Sequence, residues 1–196
     1  MIHADLHIHT VYSSDSMIQP KTLVDMLAAH NLIKVAAVTD HDSVRGCRAT
    51  IELAKPYPDV LIIPGVEIST DKGDVLVWGT QELPPKPWTP EAVVDFANGI
   101  GAATAVAHPF RQYGMGDQAR SYKFDAVEVL NGNSSANANN EAKDLAKTMG
   151  LPGTAGSDAH QVTELFTVNT RIQAGLDLES ILKAIKRGSI LAQPTR

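Results

Sequence analysis

The segment DLHIHT, which begins at Asp5, places an aspartate and two histidines at alternate positions of a strand-like run. Because successive side chains of a β-strand point to opposite faces, we expect Asp5, His7 and His9 on one face. Leu6 and Ile8 would lie on the other. The two imidazoles would be about 6.6 Å apart at the backbone, close enough to bind one metal ion. An ordinary strand with a polar face explains the same segment, so ligands elsewhere in the chain must decide between the two interpretations.

The elements that must position these residues alternate along the chain. Short apolar runs predict strands at 2–9, 35–39, 60–68, 75–79, 103–107, 125–130, 152–156 and 167–173. Amphipathic runs predict helices at 20–30, 44–55, 89–100, 137–149 and 177–187. This alternation predicts a parallel α/β sheet with crossover helices, and six or seven such units favour a barrel over an open sheet.

Histidines and acidic residues recur where the predicted strands end. Five of the seven histidines and three carboxylates lie at or just past such an end: His7, His9, Asp15, His41, Glu67, His108, Asp158 and His160. In a parallel α/β barrel, the carboxyl ends of the strands form one rim, where active sites are built. We therefore expect these eight side chains to converge.

Single members of this set have structural explanations. Asp15 could stabilise a turn, and His108 could be an extended residue before a proline. Asp42 is expected to cap the helix that follows it. Glu128 is interpreted as a polar strand residue outside the ligand set. All of these explanations would have to hold together on different strands, so we favour a metal centre.

Histidine and carboxylate ligands without thiolate suit Mn²⁺, Zn²⁺ or Fe. Eight ligands exceed the needs of one ion, which predicts two or three divalent metal ions with Glu67 as the bridge between them. Such a centre makes hydroxide at neutral pH and holds the attacking and leaving oxygens of a phosphoryl group.

A phosphate group also needs cationic side chains. Arg111, just past His108, is the best-placed candidate, and Arg45 and Lys72 come next. Ser157 could be considered as a nucleophile, but no positioned base accompanies it.

Composition sets the broad class. The 196 residues predict a single domain, 1–196, and 43% hydrophobic residues without an apolar run of about 20 predict no membrane span. One cysteine, Cys47, and an amino-terminal segment without signal-peptide features favour a cytoplasmic protein. The net charge of −5 argues against a protein that coats nucleic acid. A small phosphorylated substrate is favoured over nucleic acid, and the sequence sets no oligomeric state.

Six segments in order between residues 5 and 160, DLHIHTVYSSDS, TDHDS, GVEIS, AHPF, VEVLNG and GSDAH, resemble the PHP (polymerase and histidinol phosphatase) superfamily. The resemblance implies a distorted (β/α)7 TIM-like barrel, a two- or three-metal centre at its carboxyl rim and hydrolysis of phosphate esters by a small stand-alone phosphoesterase. Carried over by position, it implies one metal held by His7, His9, Glu67 and Asp158, a second by Glu67 and His108, and a third by Asp15, His41 and His160.

The chain departs from the family pattern in two places. Family members with a complete trinuclear centre usually carry another histidine in the loop that here reads NGNSSANANN, after the predicted strand 125–130. Without it, the second metal would bind weakly or use water or an asparagine carbonyl. Residues 80–88 are the only counterpart of a longer substrate-covering insertion, which suggests an open cleft for small esters.

The favoured function is a metal-dependent phosphoesterase that hydrolyses a small phosphate monoester or nucleotide by metal-activated hydroxide. Candidate catalytic residues are Asp15, His41, His160 and Arg111. His41 or His160 could protonate the leaving group if free of metal, and Arg111 would bind phosphate. Two alternatives stay open: a nuclease or phosphodiesterase acting on nucleic-acid ends, and a non-catalytic, metal-stabilised PHP module.

Overall fold

In the computed structural model, which describes residues 1–195, the chain forms a nine-stranded sheet and five α-helices. The strands are β1 (Ile2–Ile8), β2 (Val35–Val38), β3 (Leu61–Thr70), β4 (Gly73–Trp78), β5 (Ala103–Val106), β6 (Ala126–Asn131), β7 (Gly153–Gly156), β8 (Val168–Ile172) and β9 (Ile190–Pro194). The helices are α1 (Pro20–Ala29), α2 (Arg45–Ala54), α3 (Pro90–Gly99), α4 (Ala136–Met149) and α5 (Leu178–Lys186).

The sheet runs in the order β7-β6-β5-β4-β3-β2-β1-β8-β9 and curves into a nearly closed barrel. The barrel closes where the segment after β7, at one end of the sheet, bonds to the end of β1. Asp158 N donates to His7 O at 2.7 Å, and His9 N donates to Ala159 O at 3.0 Å. The distorted TIM-like α/β barrel predicted from the sequence is confirmed.

The prediction of a wholly parallel sheet is wrong at β4 and β8. β4 is antiparallel to both β3 and β5, and β8 is antiparallel to β1. Only Asp71 and Lys72 separate β3 from β4, and two residues can close a hairpin but cannot cross over to a parallel strand. Consequently β4 begins, rather than ends, at the rim formed by the carboxyl ends of the parallel strands.

Two apolar clusters build the core. One packs strand residues such as Val38 against helices α1 to α4, and the other joins Leu6 and Trp78 to α5 on the inner side of the barrel. Leu6 and Ile8 belong to different clusters, so the prediction that they share one face is wrong. The register of β1 against β2 shifts between Asp5 and Ile8, which interrupts the strict alternation.

The five predicted helices begin and end within one residue of the observed ones. β9 was not predicted, because five residues ending in proline carry little strand signal and pair here only as a short edge. The predicted capping of α2 by Asp42 is also wrong. Asp42 has φ 52° and accepts a hydrogen bond from Ser69 N at 2.9 Å, and the helix begins later at Arg45.

None of the helices formed by residues 1–195 has the length and hydrophobicity that crossing a membrane requires.

Candidate metal centre

All eight predicted ligands lie together at the carboxyl rim of the barrel. They come from the end of β1 and its following loop, from β3, and from the loops after β2, β5 and β7. The residues are His7, His9, Asp15, His41, Glu67, His108, Asp158 and His160. Those nearest the barrel axis are buried, whereas the Asp15, His41 and His160 side chains are 53%, 34% and 21% exposed. The cluster is therefore closed below and open to solvent on one side.

Four ligand atoms form a compact group at the bottom of this cluster. The Nε2 atoms of His7 and His9 are 3.0 Å apart. Each Nε2 lies 3.2 Å from Glu67 Oε2, and the distances to Asp158 Oδ1 are 3.3 Å from His7 and 3.1 Å from His9. Ligands about 2.0–2.1 Å from a tetrahedral ion are about 3.3 Å apart, and the distances from each imidazole nitrogen to the other and to the two carboxylate oxygens are close to this spacing.

The charges of the four residues are mutually dependent. Burial lowers the pKa of His9, but hydrogen bonds to Asp158 and Glu67 outweigh it and raise this pKa to about 9. The pKa of His7 is likewise raised, against burial, by the Asp158, Glu67 and Glu128 charges. Burial would raise the pKa of Asp158, yet the neighbouring imidazoles hold it well below the ordinary value. The carboxylates therefore favour the protonated imidazoles, and the imidazoles favour the ionised carboxylates.

Glu67 joins the groups of ligands. Its Oε2 also lies 3.2 Å from Nδ1 of His41, while Oε1 lies 3.0 Å from Nε2 of His108. Both carboxylate oxygens are therefore directed at ligand-type nitrogens, and the side chain is fully buried. This placement supports the predicted bridging position of Glu67.

A third group lies at the open side. Nε2 of His160 and Nε2 of His41 are 3.3 Å and 3.6 Å from Asp15 Oδ2. Ligand atoms of His9, His41 and His160 all lie within 4.8 Å of one another. The three residues that the resemblance implies for a third metal, Asp15, His41 and His160, therefore lie next to one another.

Hydrogen bonds fix which ring nitrogen faces the centre. Nδ1 of His7 is 2.9 Å from Glu128 Oε1, and Nδ1 of His9 is 3.0 Å from Ser13 Oγ. Nδ1 of His160 donates to the Asp158 carbonyl oxygen at 2.8 Å. These contacts leave each Nε2 for the ion, as is usual for metal-binding histidines.

Sequence reasoning missed two of these supporting residues. Glu128 was left out as an ordinary strand residue, although it orients His7 and also accepts a hydrogen bond from His108 N at 2.8 Å. Ser13 accepts from His9 and donates to Asp40 Oδ1 at 3.1 Å. Glu128 and His7 are 121 positions apart in the sequence and meet only in the folded barrel, so no sequence pattern reveals this pairing.

The three residues predicted to bind phosphate, Arg111, Arg45 and Lys72, differ in the side chains that they contact. The Arg111 guanidinium contacts Asp158 Oδ2 at the edge of the cluster and is 37% exposed. Arg45 stacks over the ring of Tyr12, 5.1 Å from its centroid, and Lys72 pairs with its neighbour Asp71. Of the three, only Arg111 contacts a predicted metal ligand.

Comparisons with known proteins agree with this geometry. Residues 5–128 match the PHP domain family model, and residues 136–190 match the PHP-associated family model. The chain belongs to the PHP domain family. This confirms the resemblance seen in the sequence.

Two curated proteins are similar in sequence. The uncharacterized protein MJ1587 of Methanocaldococcus jannaschii is 32% identical over 140 residues, which cover 65% of this chain and 81% of that protein. The 5′-3′ exoribonuclease Rnm of Salmonella typhimurium is 38% identical over 80 residues, which cover 40% of this chain and 25% of that protein.

Solved structures share the fold. PsfC from Pseudomonas syringae has a TM-score of 0.71 and 22% identity over 99% of this chain and 91% of its own. An amidohydrolase from Chromobacterium violaceum, solved with sulfate and no metal, has a TM-score of 0.69 and 16% identity, covering 98% of both chains. A candidate metal-dependent phosphoesterase from Bifidobacterium adolescentis has a TM-score of 0.64 and 16% identity, covering 80% of this chain and 87% of its own.

Family membership and the histidine–carboxylate clusters together support a metal-dependent hydrolase that uses divalent metal ions.

Proposed function

We propose that this chain is a phosphoesterase that hydrolyses small phosphate monoesters or nucleotides. One observation carries the proposal: Nε2 of His7 and Nε2 of His9 lie 3.0 Å apart, and each lies 3.1–3.3 Å from Glu67 Oε2 and Asp158 Oδ1. Glu67 extends this group towards two further clusters of ligands. A phosphoryl group requires such charge, because several oxygens become more negative during its transfer.

We propose that these residues hold two or three ions of Mn, Zn or Fe. Bound divalent ions would lower the pKa of water to near neutrality and neutralise the charge of the transferring group. The protein contributes a rigid set of ligands, because Glu128 and Ser13 hold the rings of His7 and His9. Burial of these two histidines excludes bulk water from the inner part of the centre.

Substrate is proposed to approach from the side of Asp15, His41 and His160, because these three side chains are the exposed part of the cluster. Arg111 stands at the edge of the same cleft, where its guanidinium can turn from Asp158 to a phosphate oxygen. An imidazole of His41 or His160 that is free of metal would give a proton to the leaving oxygen.

A nuclease is the second candidate. The similarity to an exoribonuclease over 80 residues favours it. The net charge of −5 counts against extended contact with a polynucleotide backbone. We therefore rank a monoester or nucleotide as the substrate first.

Two expectations from the sequence stay predictions: that one domain covers residues 1–196, and that the protein is cytoplasmic.

Release of inorganic phosphate after loading with Mn²⁺ tests this proposal. The substrates are a panel of phosphomonoesters, nucleotides and one phosphodiester. The variants are His9→Ala, which removes a buried ligand, and Asp15→Asn, which alters an exposed one. His30→Asn is the matched control, because His30 ends α1 and accepts hydrogen bonds from the Leu32 and Ile33 backbone.

We expect Mn²⁺-dependent turnover of monoesters by the wild type and the control. Asp15→Asn should lose about 10–100-fold in turnover, as is typical when a group that supports a metal ion is changed, while the melting temperature of its metal-free form stays unchanged. Turnover of the diester alone would support a nuclease instead. Metal binding without any turnover would support a non-catalytic module and contradict the proposal.

A further inference from the structure

We infer that Asp74 of β4 is a ligand of the second metal ion, beside Glu67 and His108. The inference rests on the proposed metal centre and adds a residue to it. In the sequence, Asp74 comes directly before the predicted strand 75–79, so no pattern places it at the carboxyl rim. The reversed direction of β4 brings the start of this strand to the rim.

Strand register places Asp74 beside the other ligands. Asp74 pairs with Ser69 of β3, and Leu76 pairs with Glu67. Leu76 and Trp78 lie in the inner apolar cluster, and Asp74 precedes them with the spacing of two that keeps side chains on one face. Asp74 is therefore the rim-side member of an inward-facing row.

The side-chain geometry supports a shared ion. Glu67, Asp74 and His108 each offer a ligand atom, and these atoms all lie within 4.8 Å of one another. The His108 side chain is only 9% exposed, and its Nε2 lies 3.0 Å from Glu67 Oε1. Its Nδ1 is buried without a hydrogen-bond partner in residues 1–195. Two carboxylates this close repel each other, and a cation between them and the imidazole would relieve the repulsion.

Asn131 is the alternative, because it begins the loop in which family members usually carry a further histidine. Its amide nitrogen, however, donates to Glu128 Oε2 and to Asp158 Oδ2, each at 3.1 Å. Its side-chain carbonyl oxygen, Oδ1, accepts hydrogen bonds from Asn133 N and Ser134 Oγ, each at 3.0 Å. A backbone N–H can only donate, so the network fixes this orientation and directs the carbonyl away from the ions. In this proposal the further ligand is therefore Asp74 and not Asn131.

The test measures metal content rather than activity. Wild type, Asp74→Asn and Asp71→Asn are dialysed against Mn²⁺, and the bound metal per chain is determined by mass spectrometry and by titration calorimetry. Asp71→Asn is the matched control, because Asp71 lies on the same hairpin with a 52% exposed side chain that pairs with Lys72. Asp74→Asn keeps the size of the side chain and removes its charge.

We expect Asp74→Asn to lose one equivalent of Mn²⁺, or to bind it at least tenfold more weakly, while the control matches the wild type. Equal stoichiometry and affinity in Asp74→Asn and wild type would overturn the inference and leave the proposed function standing. No metal on any protein, wild type included, would instead overturn the proposed function.

Asp74→Cys provides a direct second readout. Loaded with Cd²⁺, this variant should show the ultraviolet charge-transfer absorption of a cadmium thiolate, because a thiolate is a soft ligand at the same place. Wild type is the control for the buried Cys47 of α2. Absence of additional absorption in a folded, Cd²⁺-loaded variant would contradict ligation from this position.

Discussion

At the scale of single residues, the inner histidines are oriented before any ion binds. His7 is held through Nδ1 by Glu128, and His9 through Nδ1 by Ser13. Such contacts fix the ring and direct Nε2 to the ion, and their loss typically weakens metal binding by one to two orders of magnitude. The arrangement makes Glu128 important although it contacts no predicted ion.

We expect Glu128→Gln to weaken binding of the inner metal by about 10–100-fold, because a neutral amide orients and polarises the His7 ring less well than a carboxylate. Competition with a chromogenic chelator measures the affinity. Glu141→Gln on the exposed face of α4 is the control and should leave the affinity unchanged. Wild-type affinity in Glu128→Gln would show that the contact with His7 is dispensable.

Metal binding should release protons. In the metal-free protein, burial lowers the pKa of His9 but its carboxylate contacts raise it to about 9, from an ordinary value of 6.5. A metal replaces the proton on Nε2, so the affinity should rise about tenfold per pH unit for each displaced proton, up to about pH 9. Calorimetry at pH 7 in two buffers of different ionisation enthalpy counts the protons.

The same shift has the opposite effect on the stability of the metal-free protein. A histidine whose folded pKa lies above its unfolded value stabilises the fold fully below about pH 6.5, and this contribution disappears as the pH rises through about 9. Metal binding without proton release at pH 7 would contradict the charged network described for His9.

The convergence of the eight candidate ligands could be predicted from the sequence, because each lies at or just past the end of a predicted strand. Glu128, Ser13 and Asp74 could not be assigned roles. Glu128 meets His7 across 121 positions of sequence, a pairing that depends on barrel closure. The position of Asp74 at the rim follows only from the antiparallel direction of β4, which the two-residue turn between β3 and β4 imposes.

At the scale of elements, closure of the barrel beside β1 depends on a glycine. A Cβ added at Gly156 would lie 2.3 Å from Cβ and 2.7 Å from N of His7. β7 can therefore approach β1 only without a side chain at this position. That approach also brings Asp158, two residues further on, against the inner histidines.

We expect Gly156→Ala to lower the free energy of unfolding by about 1–3 kcal/mol, as overpacking does, and to weaken binding of the inner metal. Urea unfolding of the metal-free protein measures the first effect. Gly99→Ala is the matched control, since a Cβ there has no neighbour within 4 Å. Equal stability of the two variants would mean that β7 can shift without cost.

Helices were easier to predict than strands at this scale. α1 and α3 each begin with a proline in the first turn, and Ser135 caps α4 through the backbone N–H of Ala138, so local signals suffice. The direction of β8 depends on its pairing with β1, which is far away in sequence, and β9 forms only through its pairing with β8.

At the scale of the whole molecule, the metal centre connects strands from both halves of the barrel. Its ligands come from β1, β3 and the segments after β2, β5 and β7, so ions would tie these elements together. Ions that bind only the folded chain stabilise it by mass action, by about 2.7 kcal/mol at a concentration 100 times the dissociation constant.

Removal of metal by a chelator should therefore lower the melting temperature by roughly 5–10 °C, since 1 kcal/mol corresponds to about 2–4 °C in a chain of this size. Differential scanning fluorimetry of Mn²⁺-loaded and chelator-treated protein measures the change. The metal-free chain should remain folded, because its two apolar clusters do not depend on the ions. An unchanged melting temperature at saturating Mn²⁺ would argue against a centre that spans the barrel.

The most direct test of the metal centre is anomalous diffraction from crystals grown with Mn²⁺. We expect the strongest anomalous peak between Nε2 of His7 and His9, Oε2 of Glu67 and Oδ1 of Asp158. The two imidazole nitrogens lie 3.0 Å apart, and each lies 3.1–3.3 Å from the two carboxylate oxygens. A second peak is expected between Glu67 and His108. Anomalous density elsewhere on the protein, with none among these four atoms at saturating Mn²⁺, would contradict the assignment of the rim as a metal centre.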